Sequence, residues 1–161
     1  AGWKPHKDVE ESMEVIENVF MKPGVYAIVY KETNEVIGSI GLHAGSKKSR
    51  GLGADENQAE IGYWIAKPYW GRGLIPEAAK ELVEFGFLEL GLNRIWIAYF
   101  DGNHKSKRVA EKLGFTYSHF AENVEVEALG ETKKEHYMVL NKAEFDEAIK
   151  LKYRPLLAQR S

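Results

Sequence analysis

Residues 60–77 read EIGYWIAKPYWGRGLIPE. The first six residues alternate as a half-buried strand does, and a short turn with Gly71 and Gly73 follows before a helix begins. Glycines flanked by Trp70, Arg72 and Leu74 leave several backbone N–H groups able to point at one place. At a helix N-terminus those donors and the positive end of the helix dipole form an anion site. The stretch predicts a strand–turn–helix unit that holds a phosphate or pyrophosphate.

The rest of the chain limits what chemistry can accompany that site. A length of 161 residues suits one domain, 1–161, with a substantial core. The 44% apolar and 29% charged fractions are those of an ordinary globular protein. A net charge of −2 gives no electrostatic reason to expect nucleic acid as a partner. With no cysteine, disulfides, thiolate nucleophiles and cysteine-built zinc sites are excluded. The histidines at 6, 43, 104, 119 and 136 include no i,i+4 pair, so no metal is expected. No apolar run approaches the roughly 20 residues needed to span a bilayer. The opening AGWKPHKD lacks a signal-peptide core, so a cytoplasmic protein without a membrane partner is expected.

Outward from the central stretch, the patterns alternate between strand and helix. Residues 9–20 place Val9, Met13, Ile16, Val19 and Phe20 at helical spacing, and Pro23-Gly24 closes that helix. Residues 25–30 and 36–43 read as a hairpin around a polar turn. Residues 44–58 are rich in turn formers and read as an exposed loop. A strand over 59–65 leads through the glycine turn to a helix over 75–90, stopped by Gly91. The run RIWIAYF, 94–100, is apolar on both faces, as a central strand is. A short helix over 105–113, strands over 115–122 and 135–140, and a helix over 141–152 with Asn141 as N-cap complete the pattern. A strand–helix–strand unit flanked by hairpins predicts a mixed α/β (α+β) sheet: a central parallel pair, antiparallel flanks, and helices on both faces.

Three stretches together carry a family likeness. The turn from Pro68 to Ala78 resembles the acetyl-CoA pyrophosphate loop of the GNAT-superfamily acetyltransferases, usually written Q/R-x-x-G-x-G/A. Pro68 departs from that general pattern, but the P-x-W-G-x-G form resembles the RimJ/RimL-like, ribosomal-protein N-acetyltransferase branch. AEIGYWI before the loop and the block Asn103-x-x-Ser106-x-x-Val109-x-Glu111-Lys112-Leu113-Gly114-Phe115 are similar to the same branch. A lone G-x-G is common by chance; the three stretches at this spacing are specific, and the likeness runs from about Trp3 to Leu140. The resemblance implies a GNAT-like, mostly antiparallel twisted sheet. It also places a strand and helix ahead of GWKPHKDVEES, so the N-terminal strand of the pattern is expected to be absent here. An edge left uncovered in that way invites pairing with another chain, and a homodimer is one expected remedy.

The resemblance also implies roles for particular residues. Backbone amides of Trp70, Gly71, Arg72, Gly73, Leu74 and Ile75 would hold the CoA pyrophosphate, although a tight turn needing glycine would read the same way. Backbone groups of Tyr63, Trp64 and Ile65 would pair with the pantetheine arm. In GNAT folds this strand diverges from its parallel neighbour, a feature the sequence does not show. Asn103 would bind the arm or cap the helix, roles that can coexist. Ser106 would donate to the departing CoA thiolate, and Lys107 and Arg108, with Lys112 less so, would meet cofactor phosphates. The implied reaction is direct attack of an amine on acetyl-CoA, the acetyl-donor co-substrate. Because an amine is protonated at neutral pH, a base is required. Glu60 is the first candidate and Glu125 the second, with Glu127 an equal match if the alignment is set on Gly130. A solvated or ion-paired strand carboxylate is the plain alternative for each. Tyr117 and Tyr137 are expected to pack, and His6 and His43 could line an acceptor pocket.

Two functions fit these residues. One is an acetyl-CoA-dependent N-acetyltransferase acting on a protein N-terminal amine or a small amine. The other is a catalytically inactive acyl-CoA-binding sensor or scaffold with the same fold. A P-loop or dinucleotide enzyme is excluded, because no G-K-[ST] follows the glycines and Pro76 breaks G-x-G-x-x-G.

Overall fold

The computed structural model of the protein describes residues 24–44 and 57–158. In chain order these form β1 (Val25–Tyr30), β2 (Glu35–Ala44), β3 (Gln58–Ile65), a 3-10 turn (Lys67–Tyr69), α1 (Leu74–Leu88) and β4 (Arg94–Phe100). Then follow α2 (His104–Lys112), β5 (Thr116–Val126), β6 (Glu131–Asn141) and α3 (Lys142–Ala158). The helix expected over residues 9–20 and most of the loop expected over 44–58 lie outside the described residues.

The strands form one six-stranded sheet in the order β1-β2-β3-β4-β6-β5. Antiparallel hairpins sit at both ends, and the β3–β4 pair is parallel, joined across the sheet by α1. That is the mixed arrangement the sequence predicts. β6 inserts between β4 and β5, so the last hairpin is added through its second strand.

Alternation along β4 divides the sheet into two faces. Ile95, Ile97 and Tyr99 join a core with Ile40, Leu42, Ile61, Met138 and Leu140. Ala79, Leu82, Val83 and Phe87 of α1, Ala110 of α2 and Phe145 of α3 close the same core, and Phe145 stacks on Phe87 at 4.8 Å. All three described helices therefore cover one face. Whether helices lie on both faces, as expected, turns on residues outside the described set. On the second face Trp96 and Tyr137 pack with Ala98, Ala121 and Val139.

Several boundaries differ from the sequence reading, for local reasons. The last hairpin is longer than expected, with β5 reaching Val126 and β6 starting at Glu131. Its polar residues mask the strand pattern because so many are exposed. Asn141 is not an acceptor cap: its backbone N–H and side-chain amide both donate to the Glu144 carboxylate, at 2.9 and 3.2 Å. Glu144 thus supplies the backward-reaching half of a capping box. Among the described residues no helix is long and apolar enough to cross a membrane.

Two glycines set how closely neighbouring elements approach. A Cβ on Gly38 of β2 would overlap the Trp64 carbonyl oxygen of β3, which is backbone and cannot yield. A Cβ on Gly86 of α1 would lie 2.9 Å from Ile95 Cδ1, a side-chain tip that can move. Gly38→Ala is therefore expected to lower stability by roughly 3 kcal/mol. Gly86→Ala should stay within about 1 kcal/mol of wild type, because better helix propensity offsets the crowding. Urea unfolding midpoints of the two variants measure the difference.

Candidate active site

The parallel pairing of β3 with β4 runs from Gln58↔Arg94 to Ile61↔Ile97 and stops. Beyond it, residues 62–65 stay paired with β2, and residues 98–100 stay paired with β6. The two strands are held from outside and part in the middle, opening a cleft at their C-terminal ends. Backbone edges facing that cleft are available to an extended ligand, since a strand edge pairs with whatever offers donors and acceptors.

The glycine turn stands at the mouth of the cleft. Gly71 and Gly73 both have φ of +74°, which explains why glycine is needed there. Neither would press a Cβ against any protein atom within 4 Å, so both face open space. Gly73 is the N-cap of α1 and no side chain caps that end. Pro76, in the first turn, has no N–H to leave unsatisfied. The Trp70 amide is committed to the Lys67 carbonyl at 3.1 Å, which narrows the expected set of donors to residues 71–75. The indole of Trp70 donates to the Ile65 carbonyl at 2.9 Å and carries the Lys105 ammonium over its face at 4.0 Å. Arg72 leans over the Tyr69 ring, 5.2 Å from its centroid. Strand end, glycine turn and α2 are thereby tied together.

The start of α2 is equally fixed. Asn103 is its N-cap, with Oδ1 accepting from the Ser106 N–H at 3.2 Å and its own N–H donating to the Phe100 carbonyl at 2.9 Å. One turn upstream, Asp101 pairs with His136 of β6 at 2.8 Å, and this hydrogen bond holds the carboxyl below its ordinary value. The Ser106 hydroxyl accepts a hydrogen bond from Tyr63 of β3 at 2.8 Å. Burial pushes the Tyr63 phenol up, and the bond to Ser106 only partly opposes it.

The candidate residues separate by face. Tyr63 packs on the helix-side core, and Ser106 reaches it from α2. Glu60 and Trp64 alternate with Tyr63 and so lie on the second face, where Glu60 is paired in register with His43 and Trp96. The His43 ring sits over Gly62, whose Cβ would come 2.9 Å from Nε2. Glu125 is exposed on β5, paired with Thr132 in the part of the hairpin that overhangs β4, and Glu127 lies past the end of β5. Neither is brought to Ser106 by any described contact. Lys107 turns away from the glycine turn: it pairs with Glu111 at 3.8 Å and lines a groove of about 460 Å³ with Tyr99, Tyr117 and His136. Arg108, one residue further on, is exposed.

Sequence reasoning missed two residues. Lys105, rather than Lys107, is the α2 lysine beside the turn; both stand one 100° step from Ser106, so the helical period alone does not separate them. Glu135 is buried on the second face, accepting from Tyr137 at 2.6 Å. Its i,i+2 spacing from Tyr137 was the available signal, but a glutamate directly after Lys133 and Lys134 reads as solvent-facing. Tyr137 packs, as expected, and is fully buried.

Comparison with known proteins bears on what this arrangement is. The family described as "Acetyltransferase (GNAT) domain" matches residues 1–116. An uncharacterized N-acetyltransferase of Bacillus subtilis, YoaA, is 36% identical over 117 residues, covering 65% of this chain and 62% of YoaA. YdaF of the same organism, named a putative ribosomal N-acetyltransferase, is 50% identical over 58 residues, covering 36% of this chain and 32% of YdaF. The chain thus spans less than two thirds of these relatives. A GNAT-family acetyltransferase from Bacillus anthracis superposes with a TM-score of 0.68 at 25% identity, covering 83% of this chain and 74% of that one.

Loss of the α2 cap has a defined cost. Asn103→Ala is expected to destabilise the protein by about 1 kcal/mol, and Asn103→Asp to restore most of it. Urea unfolding with an unchanged slope would show that the loss is local to the cap.

Proposed function

The chain belongs to the GNAT acetyltransferase family, and we propose that it transfers the acetyl group of acetyl-CoA directly to an amine. The observation that carries this reading is the end of β3–β4 pairing at Ile61↔Ile97, beside an uncapped, glycine-built helix N-terminus. The cleft between the strands accepts an extended arm. The N–H groups of Gly71, Arg72, Gly73, Leu74 and Ile75 provide an anion cradle of the kind a pyrophosphate requires. Lys105 and Arg108 add positive charge on the adjoining helix. Acetyl-CoA fits as donor, with its pyrophosphate on the turn and its pantetheine along residues 63–65.

The acceptor is an amine, either a protein N-terminal α-amine or a small amine, approaching from the second face. Glu60 is there, and the parted strands join that face to the one bearing Ser106. Glu60 takes a proton from the incoming ammonium, directly or through a water. A backbone N–H of residues 63–65 supports the oxyanion that develops as the C–N bond forms. Ser106 donates a hydrogen bond to the departing sulfur. Of the two protons the ammonium loses, one ends on the CoA thiol and one in solvent.

Two variants separate this reading from a binding-only one. Gly73→Glu puts a carboxylate where the pyrophosphate would sit and is expected to abolish CoA binding by calorimetry. Glu60→Gln should retain CoA affinity while thiol release from acetyl-CoA, across N-terminal peptides and small amines, falls about 100-fold. Tight CoA binding by wild type with no thiol release on any acceptor would instead identify a non-catalytic acyl-CoA binder.

A further inference from the structure

We propose that Tyr63 is a positioning residue that aims the Ser106 hydroxyl at the leaving sulfur. The proposal rests on the transferase reading above and adds to it a side chain whose expected part was through its backbone alone.

A serine in the first turn of a helix has several places to spend its hydroxyl, and it commonly turns back onto nearby backbone. In this protein two contacts remove that freedom. Asn103 Oδ1 holds the Ser106 N–H at 3.2 Å and fixes the start of α2. The Tyr63 hydroxyl, 2.8 Å from Ser106 Oγ, occupies one of its two lone pairs. Ser106 keeps its own hydrogen, and that hydrogen must point away from Tyr63. The remaining directions include the cleft, because Tyr63 lies in the part of β3 that has left β4.

The chemistry of the pair suits a donor chain. Burial holds the Tyr63 phenol above its ordinary value of 10.0, so it stays protonated at neutral pH and keeps donating. A hydroxyl that accepts one hydrogen bond donates a stronger one, by about 10–30% per bond in a chain. In the transfer step the C–N bond forms and the C–S bond breaks. Ser106 stabilises the charge on sulfur, and Tyr63 stays protonated throughout. Its ring packs against the buried core, so the hydroxyl is presented from a fixed support. Tyr63→Phe removes only the hydroxyl and keeps that packing.

The test uses the full chain, with Tyr63→Phe, Ser106→Ala and the double variant, acetyl-CoA, and a peptide carrying a free N-terminal alanine. Tyr63→Phe is expected to lower kcat about tenfold, the loss of one hydrogen bond felt in the transition state. The KM for acetyl-CoA should stay within about twofold, since the contact adds no ground-state binding. In the Ser106→Ala background the same substitution should cost nothing further. Independently of turnover, the phenol resonance of isotope-labelled Tyr63 should titrate at higher pH in Ser106→Ala than in wild type, because the Ser106 hydroxyl turns its hydrogen to the phenolate once Tyr63 ionises. Multiplying losses in the double variant, or a Tyr63 titration indifferent to Ser106→Ala, would overturn the proposal. A shifted titration with no thiol release by wild type on any acceptor would overturn it differently: the contact stands, but the transferase reading on which its role depends fails.

Discussion

The whole site depends on two strands that cannot stay together. β3 is bound to β2 through Gly38↔Ile65, and the Ala66 N–H then donates to the Ile37 carbonyl at 2.8 Å. β4 is bound to β6 through Phe100↔Glu135, and the Asp101 N–H continues that attachment to the Lys134 carbonyl at 2.9 Å. Each strand is thus held on its outer side to its last residue while their mutual pairing ends at Ile61↔Ile97. Sheet twist alone does not part neighbours so abruptly. The resulting unpaired edges are costly unless water or a ligand satisfies them, which suits the gap to an extended ligand.

Everything that gives the gap a chemical use is attached to its rims. α1 lies close on the sheet through Gly86 and its buried side chains, so the glycine turn that begins it is carried to one rim. The turn from β4 into α2, braced by Asp101–His136 and capped by Asn103, carries Ser106 to the other. The Trp70 indole, bonded to Ile65 and lying under Lys105, links the two. None of these contacts is large by itself. Together they place an anion cradle, a hydroxyl and an extended backbone edge around one opening, while Glu60 and His43 stand on the far face. A cleft that passes through a sheet lets donor and acceptor approach from opposite sides without competing for room.

Much of this was legible in the sequence. Period-two alternation and the glycine punctuation around residues 60–77 gave the strand–turn–helix unit, and the apolar run 94–100 gave its central neighbour. Gly71 and Gly73 form a turn at the start of α1, as the pattern predicts. The insertion of β6 beside β4 was not legible, because strand order depends on long-range pairing that no local pattern encodes. Nor were Lys105 and Glu135, whose significance lies in which face their element turns inward. The Tyr63–Ser106 contact joins residues 43 positions apart, so neither residue's neighbours in the chain announce it. Glu125 was reached by counting from Ser106, and the hairpin sets it at an exposed strand position that the count does not encode.

The central claim is that the parted ends of β3 and β4, with the glycine turn, receive acetyl-CoA. Amide hydrogen exchange with and without CoA measures this directly, since unpaired edge amides exchange freely until a ligand covers them. Binding is expected to protect the amides of residues 62–65 and 71–75, with little change in the β1–β2 hairpin. CoA binding that leaves both segments exchanging as before would contradict the account.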